Sequence, residues 1–207
     1  MPVAPGAKKH VASRKINREA YYTNEKLSKR IGKLVRQIVG GEATSRLIID
    51  PCVGGGSIYR YLPSGNKIGI DISTCAFFGN GDNRLQWGVD FLRFTPPVAD
   101  SYLVVGNPPF GNAMQIKFIN HAATLENVTI VMILGLGMRR WPNIAKVDKR
   151  VHLLYEAVVP KKNSVFEHGG KNKYVPTVVQ VWRKKSVERQ DPVMDDNAQN
   201  GEFDITL

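Results

Sequence analysis

Asn107-Pro108-Pro109-Phe110 packs a side-chain amide, two imino acids and a flat aromatic ring into four residues. Pro108 and Pro109 fix φ and lack an N–H, so the turn is stiff and its carbonyl can face a ligand instead of pairing elsewhere. Alone, Asn-Pro-Pro is a strand-ending turn. Upstream, Asp50-Pro51-Cys52-Val53-Gly54-Gly55-Gly56 offers a loop in which glycines let the backbone approach a nucleotide-like ligand closely. No Gly-Lys-Ser/Thr follows it and the Gly-x-Gly-x-x-Gly spacing is missing, which argues against a phosphate cradle. Asp71 ends the next apolar run, where a carboxylate can accept both hydroxyls of a ribose, and Asp90 holds the matching place one run later.

These residues need strands to carry them. Short apolar runs at Leu47 to Ile49, Ile68 to Ile72, Leu85 to Val89, Tyr102 to Val105 and Val128 to Leu134 predict successive parallel strands. Before them, Leu27, Ile31, Leu34, Val35 and Ile38 recur at helical spacing, with Asn24 as N-cap and Gly40-Gly41 as terminator. Leu153 to Val159 and Thr177 to Trp182 predict an antiparallel hairpin at one edge, joined by a Lys/Gly/Asn-rich segment. The expected fold is α/β: a Rossmann-like, open, doubly wound, mostly parallel sheet with that edge hairpin, binding ligands at the carboxyl ends of its strands.

The 207 residues suffice for a single core. Residues 1–20 are expected to be a flexible basic arm, 21–186 the folded domain, and 187–207 an acidic, disordered tail. Formal charge is +11, and residues 139 to 185 hold twelve Lys/Arg against Asp148, Glu156 and Glu167, the excess that phosphate neutralisation requires. Cys52 and Cys75 have no paired spacing, no Cys/His cluster suits a metal, and no apolar run reaches a membrane span. A cytoplasmic location and no membrane partner are expected. His121 and His152 sit in apolar stretches without a second ligand at helical spacing, so structural roles are expected for both.

The order Asp-Pro-x-x-Gly-x-Gly, Gly-Ile-Asp, Asp-Phe-Leu, Asn-Pro-Pro-Phe resembles the motif series of Rossmann-like S-adenosylmethionine-dependent methyltransferases that modify amino groups, in their small solitary N6-adenine form. The resemblance covers roughly residues 21 to 183. It implies S-adenosylmethionine as cofactor, no metal, and a cofactor site of Tyr22, Thr23, Asp50, Pro51, Cys52, Gly54, Gly56, Asp71, Ile72, Asp90, Phe91 and Asn107. Asp50 and Gly54 would flank the methionine part, Asp71 would bind the ribose, Asp90 and Phe91 would hold the adenine, and Tyr21-Tyr22-Thr23 would help cover the methionine end. It implies Asn107, Pro108, Pro109 and Phe110 as catalytic: the Asn107 side-chain oxygen and the Pro108 carbonyl accept the hydrogens of the target NH2, and Phe110 stacks on the base.

By the same resemblance Phe166 would sandwich the target base from the other side, with Lys171, Lys173, Arg139 and Arg140 on the nucleic-acid strand. The loop after the fifth strand, Leu134-Gly135-Leu136-Gly137, departs from those relatives, which leaves target choice open. The expected substrate is adenine N6 in RNA or DNA, with a partner subunit able to supply target recognition. Glutamine-N5 methylation of protein and a silent nucleic-acid-binding subunit are the alternatives.

Overall fold

The computed structural model describes residues 22–40, 46–74, 81–111, 113–168 and 171–190. The basic arm to residue 20, Tyr21, Cys75 and the tail from residue 191 lie outside the described residues. Strand β1 (Tyr22–Thr23) leads into helix α1 (Glu25–Val39). Asn24 caps that helix by accepting from the Leu27 N–H at 3.0 Å, and Gly40, at φ 55°, ends it. Then follow β2 (Arg46–Asp50), β3 (Lys67–Asp71), β4 (Leu85–Trp87), β5 (Ser101–Gly106), α2 (Met114–Ala122) and β6 (Val128–Gly135). The short α3 (Trp141–Ile144), β7 (Val151–Val158), β8 (Val165–His168), β9 (Lys171–Tyr174) and β10 (Thr177–Lys184) follow among the described residues.

Seven strands form one sheet in the order β4-β3-β2-β5-β6-β10-β7. β2 to β6 pair in parallel, and β10 enters antiparallel between β6 and β7. The fold is the expected Rossmann-like α/β sheet with its antiparallel edge. Side chains alternate between the faces: Ile48, Leu103, Val105, Val131 and Ile133 pack with Leu27, Ile31 and Leu34 of α1. Leu47, Ile49, Val104, Ile130 and Met132 pack with Ile116, Phe118 and Ile119 of α2. The period of two along buried strands thus gives each face its own helix. Strand order turns back between β2 and β5, and in such sheets the crevice beyond that point is where ligands bind.

Two features differ from the sequence expectation. The segment between β7 and β10 is not a bare connection, because β8 and β9 pair with each other and β8 pairs with β1, making a separate three-stranded sheet. All four residues of β9 are exposed, so no apolar alternation announces it. Ordered contacts also pass residue 186: the Arg189 guanidinium donates to the carbonyls of Ile144, Val147, Asp148 and Val151 at 2.6 to 2.9 Å. No helix among the described residues is long and apolar enough to cross a membrane.

Candidate active site

The carboxyl end of β2 delivers Asp50, 2% exposed, whose side chain accepts from the Cys52 N–H at 3.3 Å. Burial pushes its carboxyl up to about 7, and the nearby charge of Asp71 adds to the effect. The loop then turns tightly, with Gly56 N–H donating to the Val53 carbonyl at 2.7 Å and Gly54 and Gly56 at φ 46° and 73°. Only glycine takes such φ values without strain, so these two positions carry the loop's shape. Asp71, ending β3, receives the Gly54 N–H and the Ser73 N–H, each at 2.8 Å. A carboxylate has about four acceptor sites, so two backbone bonds leave capacity for a ligand.

Ile72, next to Asp71, is 62% exposed, an apolar side chain left in solvent at the rim of the loop. Asp90 accepts from Leu92 N–H at 3.0 Å and starts a 3₁₀ turn. The ring of Phe91 is buried, packed against Phe118 at 5.1 Å and edge-on to His121 at 4.8 Å. That ring belongs to the core, so any part Phe91 plays toward a ligand is through its backbone.

Gly106 closes β5 beside the loop. A Cβ there would lie 2.9 Å from Pro51 Cδ and 3.3 Å from Cys52 Sγ, so glycine is what lets loop and strand end meet. Burial, joined by the charges of Asp50 and Asp71, pushes the Cys52 thiol well above its ordinary range, with the Asn107 backbone N–H opposing the shift. Pro51 and Cys52 thus shape the join between the two strand ends. The Asn107 Nδ2 donates to Thr23 Oγ1 at 3.3 Å. Pro108 is buried, and Pro109 and Phe110 are half-buried. A short α2 follows, entered through Ala113 at a left-handed φ of 56°. Gln115 in its first turn accepts from the Gly135 N–H at 3.2 Å, and Phe110 borders the same glycine.

Phe166 is fully buried and meets Phe110 edge-on, ring centres 5.8 Å apart. Its ring packs against Phe110 and shows no surface to solvent, so its contact on the described residues is with that ring. β8 pairs with β1, with Phe166 opposite Thr23. Arg139 is also committed, ion-paired with Glu156, which takes the Gln180 amide as well. Arg139 and Arg140 are both exposed, as are Lys171 and Lys173 on β9, with Tyr174 45% exposed and Lys161 Nζ 5.5 Å from its ring centre. His121 bonds the Phe94 carbonyl and His152 the Val187 carbonyl, both structural uses.

Three acids at successive strand ends, a glycine loop and an exposed isoleucine make one side of the crevice. The Asn107 turn makes the other. Gly106 and Gln115 are parts of this arrangement that the sequence did not single out, while Thr23, expected at the methionine end of the cofactor, here contacts the Asn107 side chain.

No protein-family model and no curated protein matches the chain. Solved structures do. A protein from Pyrococcus horikoshii assigned as an RNA methyltransferase superposes with a TM-score of 0.59 at 15% identity, over 82% of this chain and 89% of that one. The 1,6-didemethyltoxoflavin-N1-methyltransferase of Burkholderia thailandensis, solved with S-adenosylhomocysteine, gives 0.53 at 8% identity, over 79% and 80%. A protein from Escherichia coli assigned as a methyltransferase gives 0.52 at 11% identity, over 76% and 88%. The chain therefore has the Rossmann-like fold of these methyltransferase structures.

Proposed function

We propose that the chain is an S-adenosylmethionine-dependent methyltransferase acting on an exocyclic amino group, adenine N6 in RNA or DNA. The observation that carries this reading is the placement of the Asn107 turn on β5, directly beside the acid-lined glycine loop of β2, at the point where strand order turns back. The residues fit the cofactor: Asp71 and Asp90 supply acceptors for an adenosine, Ile72 an apolar wall for a flat ring, and Asp50 a buried carboxyl at the base of the loop.

S-adenosylmethionine would supply the activated methyl group. The amine lone pair of adenine is delocalised into the ring, so the protein must favour a pyramidal nitrogen. Asn107 Oδ1 and the Pro108 carbonyl do so by accepting both amine hydrogens, and they stabilise the positive charge that develops on that nitrogen. The rigid Pro108-Pro109 pair keeps those acceptors in place before the substrate arrives. Phe110 stacks on the base, itself held from behind by Phe166. The proton released from nitrogen needs no strong base, in keeping with two histidines engaged elsewhere. A base inside a duplex would have to be flipped out at a cost of a few kcal/mol, which favours single strands or weakly paired sites.

The exposed Arg140, Lys171 and Lys173 favour a nucleic acid over a glutamine side chain of a protein. The test is incubation with labelled S-adenosylmethionine and single- and double-stranded RNA and DNA oligonucleotides, alongside a glutamine peptide, read by nucleoside and peptide mass spectrometry. N6-methyladenosine or its deoxy form is the expected product. Label on the peptide alone would overturn the reading.

A further inference from the structure

The small sheet touches the catalytic turn twice. β1 and β8 pair with Thr23 opposite Phe166. Thr23 Oγ1 receives the Asn107 side-chain NH2, and the Phe166 ring supports the Phe110 ring from its edge. Both clamp residues are buried, Thr23 at 6% and Phe166 at 0% exposure. The sheet's strands are tied to one another beyond the ladders, because the Asn24 amide donates to the Asn163 carbonyl at 2.6 Å and Val175 N–H to the Ser164 carbonyl at 3.0 Å. Two side chains paired across one ladder thus hold the first and last residues of the four-residue turn.

We propose that Thr23 and Phe166 form a positioning clamp for methyl transfer, in which Thr23 fixes the Asn107 carboxamide and Phe166 fixes the Phe110 ring. A carboxamide anchored through its nitrogen turns its oxygen away from the anchor, so the Thr23 bond sets where Asn107 Oδ1 meets the target amine. The role differs from covering the cofactor: it acts on the amine acceptor. Transfer rates are sensitive to such placement, since a displacement of about 1 Å can cost on the order of a hundredfold. The clamp rests on the reading of Asn107 as the amine acceptor, and its test includes a measurement that does not need turnover.

Thr23→Val replaces the hydroxyl by a methyl at nearly constant shape and keeps a β-branched residue in β1. In the full-length protein, NMR of the Asn107 side-chain NH2, identified by its loss in Asn107→Ala, is expected to shift in Thr23→Val and to return in Thr23→Ser. With the oligonucleotide substrate, kcat is expected to fall by about tenfold or more in Thr23→Val and to recover in Thr23→Ser, with cofactor affinity unchanged. Phe166→Leu keeps an apolar residue in the core but no ring edge, and KM for the oligonucleotide is expected to rise. An unmoved Asn107 resonance, or a Thr23→Val protein that loses cofactor affinity at normal kcat, would overturn the Thr23 half. A normal oligonucleotide KM in Phe166→Leu would overturn the other. A wild-type protein without transfer activity would defeat the proposed function while the NMR shift still decides the Thr23 contact.

Discussion

The loop side of the crevice and the small-sheet side are built on different principles. On the loop side, Asp50, Asp71 and Asp90 stand at or just beyond the carboxyl ends of neighbouring parallel strands, and each is tied by backbone N–H groups within a few residues or one strand away. On the other side, exposed Lys171 and Lys173 stand on β9 with Glu167 on the neighbouring strand, and the decisive contacts join residues far apart in sequence, Thr23 to Asn107 and Phe110 to Phe166. The first arrangement suits a ligand with hydroxyl and amino hydrogens to donate, the second a phosphate-bearing chain. Asn107 belongs to both, following Gly106 where β5 meets Pro51 and Cys52, with its side-chain amide on Thr23.

The comparison is broken most severely at that shared residue. On the proposed reading, Asn107→Ala removes an acceptor that works only when charge develops on the target nitrogen. Transfer is expected to fall by about a hundred- to a thousandfold, while calorimetry should find cofactor binding retained. Loss of cofactor binding in step with the rate would merge the two sides into one.

A smaller effect separates them by pH. The Asp50 carboxyl is pushed up to about 7, above its ordinary 3.8, so the folded state holds a proton that the unfolded chain has released. This group's contribution to stability is therefore complete below pH 4 and is lost as pH rises toward about 7, after which it stays flat. Asp50→Asn removes the titration, so the stability difference between wild type and variant, followed by denaturant unfolding, should change across that window and level off above it. A constant difference would mean that the Asp50 carboxylate is not desolvated.

The mildest change sits on the basic edge. Lys171→Ala should lower oligonucleotide affinity and reduce the slope of log affinity against log salt by about 1, with kcat at saturation unchanged. An unaltered slope would take β9 out of the substrate path.

The same contrast explains what the sequence revealed. Asp50, Asp71, Asp90 and Asn107 were legible because strands buried on both faces read as apolar runs, and their ends mark the ligand side. Helix α1 was legible from its apolar stripe, its Asn24 cap and Gly40. The small sheet was not, since Tyr22–Thr23 is two residues long and Lys171–Tyr174 is exposed throughout, leaving pairing to long-range packing. The place of Phe166 behind Phe110, the inward ring of Phe91 and the Arg139–Glu156 pair all depend on such packing. Gly106 shows as a glycine in the sequence, but its reason, the nearness of Pro51, exists only in three dimensions.

The division of the crevice is tested most directly by mapping backbone amide shifts on adding S-adenosylhomocysteine to the full-length protein. The account predicts that shifts centre on Val53 to Gly56, Asp71 to Ser73 and Asp90 to Leu92, fade at Asn107, and leave Lys171 to Tyr174 in place. Shifts centred on β8 and β9, or none in the glycine loop, would contradict it.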